Sequence, residues 1–132
     1  MTVTIINQTQ FQLEYDDSYF DSGRFAQAPT NVKPFSTYTF SACNRDGSLF
    51  CGATGGAAFK LRMPFDEPNQ AGLDKLNMSV GFCAPYAGAY KASAIWSDSA
   101  QKAYDEAQEG TFKQTFFFAG KTKEEGAVQF CH

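Results

Sequence analysis

Histidine is almost missing from this 132-residue chain, since its single copy is the last residue, His132. A nucleophilic Cys or Ser ordinarily needs an imidazole or another base beside it, and terminal residues are poorly held in place. We therefore expect no catalytic triad and predict that the protein is not an enzyme. CxxC spacing is also missing, so we expect no zinc site and no cofactor; the four cysteines are Cys43, Cys51, Cys83 and Cys131.

Positive charge is scarce as well, because 11 Lys and Arg stand against 14 Asp and Glu, for a net charge of −3. Nucleic acids are bound by clustered cations, so no nucleic-acid partner is expected. The segment 1–15 has neither a basic flank nor a continuous apolar run, unlike a signal peptide or a membrane span. We expect a chain synthesised in soluble form without a signal peptide, either cytoplasmic or released.

The even number of cysteines permits disulfides, but cytosolic synthesis favours free, buried thiols. Cys43 and Cys51 bracket a turn, whereas Cys83 and Cys131 end separate strands, so either pair could approach. A chain of this length is one domain and can bury a sufficient core without cross-links. We therefore expect the fold to survive in reductant.

Aromatic residues are abundant: 14 Phe, 6 Tyr and one Trp make 16% of the chain. Aromatic residues favour strands, and alternation of apolar and polar residues predicts strands in most segments. The alternating segments lie at 3–5, 11–15, 37–42, 57–63, 76–82, 112–118 and 128–130. The first two predict a hairpin around Asn7-Gln8-Thr9, and the last two predict a C-terminal hairpin across residues 120–126.

A helix is predicted over residues 98–109, with Asp98 as its cap, Gln101 completing a capping box and Gly110 as its stop. The prolines of the segment Pro64–Gly72 predict a loop. The fold class that follows is all-β: residues 1–132 form a single antiparallel β-sandwich of roughly eight strands with one short inserted helix.

Two further patterns have simple structural interpretations. The run Gly52-Ala53-Thr54-Gly55-Gly56 lacks the Lys-Ser/Thr of a phosphate-binding loop and precedes a strand, so turn or bulge glycines are expected. Neighbouring carboxylates lie in turn-like segments, where solvated charge is the ordinary interpretation; the pairs are Asp16-Asp17, Asp66-Glu67 and Glu124-Glu125.

Binding is indicated by aromatic residues near one cation. Arg24 and Phe25 follow two further aromatic residues, and an arginine there could hold a phosphate. Pro85 follows the strand that contains Phe82, and the Gly/Ala-rich segment after it carries Tyr86 and Tyr90. Tyrosines in such a loop should be exposed and would suit the headgroup level of a bilayer, a sugar or choline. Packing at the edge of the core is the alternative for these rings.

Three motifs resemble the aegerolysin family, in particular the small component of bacterial two-component insecticidal crystal toxins. Gly23-Arg24-Phe25 followed by Pro29-Thr30-Asn31-Val32 resembles the family's G-R-[FW]-x-x-x-P-T-N-V. Gly52-x-x-Gly55 resembles G-T-x-G before a strand, and Phe82-x-x-Pro85-Tyr86-Ala87-Gly88 resembles F-D-N-P-F-A-G. The order and spacing hold from Val3 to Lys91. Cys83 differs from the family's acidic residue, and Phe82 and Tyr86 replace tryptophans of the fungal branch.

This resemblance implies an actinoporin-like β-sandwich that binds sphingolipid in target-cell membranes and forms pores with a larger partner protein. We expect the lipid-binding residues to be Phe82, Pro85, Tyr86 and Tyr90 together with Arg24 and Phe25. The helix candidate is too short to cross a bilayer, so the chain alone should bind without lysing. Homo-oligomerisation is left open. The alternative function is a lectin-like module that binds a carbohydrate or small ligand without a lytic role.

Overall fold

A computed structural model describes residues 1–45, 52–62 and 76–109, together with the main chain of 114–118 and 127–131. Over these residues it contains nine strands and one helix. The elements are β1 (Thr2–Asn7), β2 (Gln12–Ser22), β3 (Arg24–Gln27), β4 (Thr37–Cys43), β5 (Ala53–Arg62), β6 (Asn77–Ala84), β7 (Lys91–Ile95), α1 (Ala100–Glu109), β8 (Gln114–Phe118) and β9 (Ala127–Cys131).

The strands form two antiparallel sheets, with the orders β3-β4-β1-β9-β8 and β2-β5-β6-β7. Alternate residues of a strand point to opposite faces, and one apolar face of each sheet contributes to a common core. The largest fully buried apolar side chains there are Ile5, Leu13, Val32, Phe40, Phe59, Leu61, Met78, Val80 and Phe82. The predicted β-rich architecture of two antiparallel sheets with one short helix is therefore confirmed.

The predicted first hairpin is wrong, because β1 and β2 belong to different sheets. β1 pairs with β4 and β9, while β2 pairs with β5. The reason is the buried Asn7, whose side-chain amide donates to the carbonyl oxygen of Phe11 at 2.7 Å and accepts the Thr9 N–H at 3.1 Å. These bonds fix a turn, with Asn7 and Thr9 buried, that carries the chain from one sheet to the other.

The prediction that the glycines of 52–56 form a turn or bulge is wrong for Gly56, which lies inside β5 in regular register, whereas Gly55 pairs with Phe20 beside a register shift of β2. A Cβ on Gly56 would collide with the carbonyl oxygen of Ala100, and one on Gly81 would collide with that of Ala103. Both oxygens belong to α1, so the helix lies directly on the outer face of the β2-β5-β6-β7 sheet. This sheet is therefore covered by the core on one face and, around Gly56 and Gly81, by α1 on the other.

Helix α1 confirms the predicted helix, but its cap differs. The helix begins at Ala100, and Ser99 caps it by accepting the Lys102 N–H on its hydroxyl oxygen at 3.2 Å. Asp98 lies one residue earlier and is exposed, so the prediction of Asp98 as the cap is wrong. A serine closer to the first buried turn satisfies the same orphan donors. The expected stop at Gly110 lies outside the described residues.

The C-terminal hairpin prediction is confirmed in its pairing, since β8 and β9 are antiparallel neighbours. Its turn and the predicted loop Pro64–Gly72 lie outside the described residues.

Strands β3 and β7 were not predicted. β3 is only four residues long and has a single half-buried residue, Phe25, so it shows no alternation that a sequence pattern could detect.

Candidate functional site

Several strand ends meet at one end of the sandwich, which we call the tyrosine end. β4 ends at Cys43, β5 begins at Ala53 and β6 ends at Ala84. A surface cavity of about 210 Å³ lies among them. Its lining residues are Met1, Cys43, Asn44, Gly52, Ala53, Ala84, Pro85, Tyr86 and Tyr90.

Tyr86 and Tyr90 give this cavity its aromatic wall. Their side chains are 63% and 50% exposed, as expected for tyrosines in a loop of small residues. Gly88 between them has φ +120°, a backbone conformation that favours glycine. The prediction that both rings reach solvent is confirmed.

The base of the tyrosine loop is held by close backbone packing. A Cβ on Gly52 would collide with the carbonyl oxygen of Ala84 and would lie 2.8 Å from the Cα of Pro85. Only a residue without a side chain allows β5 to begin so near the loop. The loop therefore leaves β6 from a fixed base, although its tips are exposed.

Arg24 lies at the same end of the molecule. It pairs in register with Cys43, a residue that lines the cavity. Its exposed guanidinium donates to the carbonyl oxygen of Phe25 at 3.1 Å. Gly23, with φ +94°, makes the sharp transition from β2 to β3. Arg24, the predicted cation, therefore lies on β3, and β3 pairs with the strand that ends at the cavity walled by Tyr86 and Tyr90.

Phe82 and Phe25 support this end from below. Phe82 is fully buried, so its predicted role in contacting lipid is wrong: its ring faces the core from the β6 face shared with Met78 and Val80. The ring centroids of Phe25 and Phe82 are 6.5 Å apart, and Phe20 lies 4.6 Å from Phe25. Phe25 is half-buried in this cluster, so it lies at the edge of the core and remains partly exposed.

Three residues that line the cavity could not be predicted as such from the sequence. Met1, Cys43 and Asn44 reach the cavity because β1 and β4 pair, and Met1 accepts the Ala42 N–H and donates to the Ala42 carbonyl oxygen. Pairing over some 40 residues is not visible in a local pattern.

Of the expected thiols, Cys43 and Cys83 are free, the first half-buried and the second buried. Cys51 and Cys131 lie outside the described residues.

A group of polar side chains connects the C-terminal turn of α1 to this end. Lys91, directly after Tyr90, donates to the carbonyl oxygen of Gln108 at 2.6 Å. Burial and the nearby Asp21 carboxylate raise the pKa of Tyr104 to about 12, and the two side chains are hydrogen-bonded. Burial also raises the pKa of the Cys83 thiol, against the opposing effect of Lys91. Both groups are therefore neutral near pH 7.

Within 1–45, 52–62 and 76–109, no three His, Cys, Asp or Glu side chains are grouped so that they could hold a metal ion. No protein-family model matches the chain. No curated protein matches it at a significant level.

Proposed function

We propose that the chain is an aegerolysin-like membrane-binding protein with an actinoporin-type sandwich, which recognises a sphingolipid headgroup at the tyrosine end. The single observation that carries this proposal is the cavity of about 210 Å³ walled by the exposed Tyr86 and Tyr90. Aromatic rings with a polar tip suit the headgroup level of a bilayer. In this proposal the role is binding and not catalysis.

The chemistry of a zwitterionic headgroup fits the two parts of this end. A quaternary or primary ammonium is attracted to the face of an aromatic ring, with about 2 kcal/mol when desolvated. A phosphate is bound by a guanidinium, and Arg24 lies one strand from the cavity. Tyr86 and Tyr90 would hold the cation, and Arg24 would hold the phosphate.

Pore formation is proposed to need a larger partner protein. Among the described residues, no helix is both long enough and apolar enough to cross a bilayer. Helix α1 has 10 residues, which at 1.5 Å per residue gives about 15 Å, against a hydrocarbon core of about 30 Å. The purified chain should bind vesicles without releasing their contents.

The test is pelleting with phosphatidylcholine vesicles, with and without sphingomyelin. Binding should require sphingomyelin, and Tyr86→Ala should weaken it at least tenfold, which corresponds to about 1.4 kcal/mol. Phe35→Ala is the matched control, because Phe35 is an exposed aromatic residue (72%) at the opposite end of the sandwich. It should bind like the unmodified protein. The same vesicles, loaded with dye, should not leak.

Two results would contradict the proposal. One is a Tyr86→Ala variant that binds as tightly as the unmodified chain, and the other is equal loss of binding in both variants. Unfolding in urea provides the stability control. An exposed Tyr86 should contribute less than about 0.5 kcal/mol to folding, so a large loss of stability would instead assign the ring to the edge of the core.

A further inference from the structure

A second cavity lies at the opposite end of the molecule, which we call the tryptophan end. It has a volume of about 200 Å³ and is lined by Leu76, Asn77, Trp96, Ser97 and Asp98. β6 begins at Asn77 and β7 ends at Ile95. The same two strands therefore carry the tyrosine cavity at one end and this cavity at the other.

The lining combines the indole ring of Trp96 with polar side chains. The Trp96 side chain is 44% exposed, and the Asp98 side chain beside it is exposed as well. A carboxylate accepts hydrogen bonds, whereas the amide of Asn77 both donates and accepts them. Such a small set of placed polar groups around an apolar surface is typical of ligand sites.

The segment that carries Trp96 and Asp98 is held firmly. The Ser79 hydroxyl donates to the carbonyl oxygen of Ser97 at 2.7 Å, and the Ser99 N–H donates to the Ser97 hydroxyl at 3.0 Å. Ser99 then caps α1. A site fixed between a buried strand and a packed helix loses little entropy when it binds.

We propose that the tryptophan end is a carbohydrate-binding site that takes one pyranose ring. The C–H face of the sugar would stack on the Trp96 indole. Its vicinal hydroxyls would donate to the Asp98 carboxylate and exchange hydrogen bonds with the Asn77 amide. The volume of about 200 Å³ is below the roughly 300–1,000 Å³ of pockets for drug-sized ligands, which suits a single ring.

A sugar fits this lining better than a quaternary ammonium does. Ammonium recognition uses a cage of several aromatic rings, and among the described residues Trp96 is the ring that lines this cavity. The polar side chains that line the cavity beside Trp96 instead include both hydrogen-bond donors and acceptors. A sugar hydroxyl group both donates and accepts hydrogen bonds. This inference does not rest on the lipid proposal, because it uses different residues at the other end.

The single tryptophan of the sequence makes the test specific. Trp96 is the one source of indole fluorescence in the chain, so its emission reports this cavity. The probes are methyl glycosides of glucose, galactose, mannose and N-acetylglucosamine, with sorbitol as the control for viscosity and choline chloride as the competing ligand class. At least one glycoside should change the emission saturably, with a Kd on the order of 1–10 mM for so small and open a site.

Variants then assign the effect to these residues. Asp98→Asn keeps the indole and the Ser99 cap, and it should raise the Kd at least fivefold. Asp105→Asn makes the same change at an exposed carboxylate of α1 outside the cavity lining, so it is the matched control and should leave the Kd unchanged. Trp96→Leu removes the fluorophore, so its binding is measured by saturation-transfer NMR on the glycoside, and the transfer signal should disappear.

Three outcomes would overturn the proposal. The first is a linear response to every glycoside that equals the response to sorbitol. The second is saturation with choline chloride and with none of the sugars. The third is sugar binding that Asp98→Asn and Trp96→Leu leave intact, with both variants folded by circular dichroism. Vesicle binding is measured separately, so failure of the lipid proposal is distinguishable from failure of this one.

Discussion

The two ends of the sandwich present exposed aromatic residues of similar size but hold them by different forces. At the tyrosine end, the loop that carries Tyr86 has a base of close backbone packing at Gly52, and the buried ring of Phe82 on β6 packs against Phe20. At the tryptophan end, Phe35 occupies a turn fixed by buried hydrogen bonds to Asn7 and Thr9. The first end therefore depends on close packing, and the second depends on hydrogen bonds to buried polar groups.

The hydrogen bonds around Phe35 centre on Asn7, which is 1% exposed. Its amide donates to the carbonyl oxygens of Phe11 and Lys33, and its carbonyl oxygen accepts from the Thr9 hydroxyl. The Phe35 N–H donates to the Thr9 carbonyl oxygen at 3.1 Å. These bonds hold Phe35 at φ 49°, a conformation that costs a residue with a Cβ about 1–2 kcal/mol.

The largest expected effect comes from the aromatic support of the tyrosine end. Phe82→Ala should lower the free energy of unfolding by about 3–5 kcal/mol, because it leaves a cavity among packed rings. Urea unfolding measures this loss. A decrease below about 1 kcal/mol would show that the tyrosine end does not depend on packing.

Removing the buried Asn7 side chain should lower the free energy of unfolding by somewhat less. Asn7→Ala leaves several buried partners without hydrogen bonds, each worth about 1–3 kcal/mol, so we expect a total loss of about 2–4 kcal/mol after relaxation. Asn31→Ala is the matched control, because exposed Asn31 accepts a single bond from the Tyr15 N–H. Equal losses in the two variants would argue against a buried network.

A pH effect should follow from Tyr104, beside the tyrosine end. Its folded pKa of about 12 lies above the ordinary value near 10, so the folded state binds the phenolic proton more tightly. The resulting stability is complete below pH 10 and is lost as the pH rises towards 12, with a slope of at most about 1.4 kcal/mol per pH unit. Tyr104→Phe should lose this part of the alkaline destabilisation, and identical pH profiles for both proteins would refute it.

The smallest expected effect has the opposite sign. Phe35→Gly relieves the left-handed strain but adds chain entropy to the unfolded state, so a net gain of about 0.5 kcal/mol is expected. Phe35→Ala retains the strain and should not gain stability. If both variants were destabilised equally in urea, the turn would not be strained.

The positions of most strands could be predicted because alternation is a local property, but β3, β7 and the pairing partners of the strands could not. The segment around Asn7 contains the signals of a tight turn, and only the burial of its side chain turns a hairpin into a connection between sheets. The exposed Tyr86 was predictable from Pro85 and the small residues near it. The burial of Phe82 was predictable too, since it alternates in phase with Met78 and Val80. The lining by Met1 and Asn44 depends on long-range pairing, which no local pattern encodes.

Helix α1 also makes Cys83 a reporter of local opening. The thiol lies on β6 under the helix layer, is 8% exposed and has a raised pKa, so alkylating reagents should react with it slowly while the helix is seated. Its labelling rate then measures how often α1 lifts from the glycines beneath it. The reactivity of Cys83 therefore reports the local opening of α1, a motion that ligand binding at either cavity would not report.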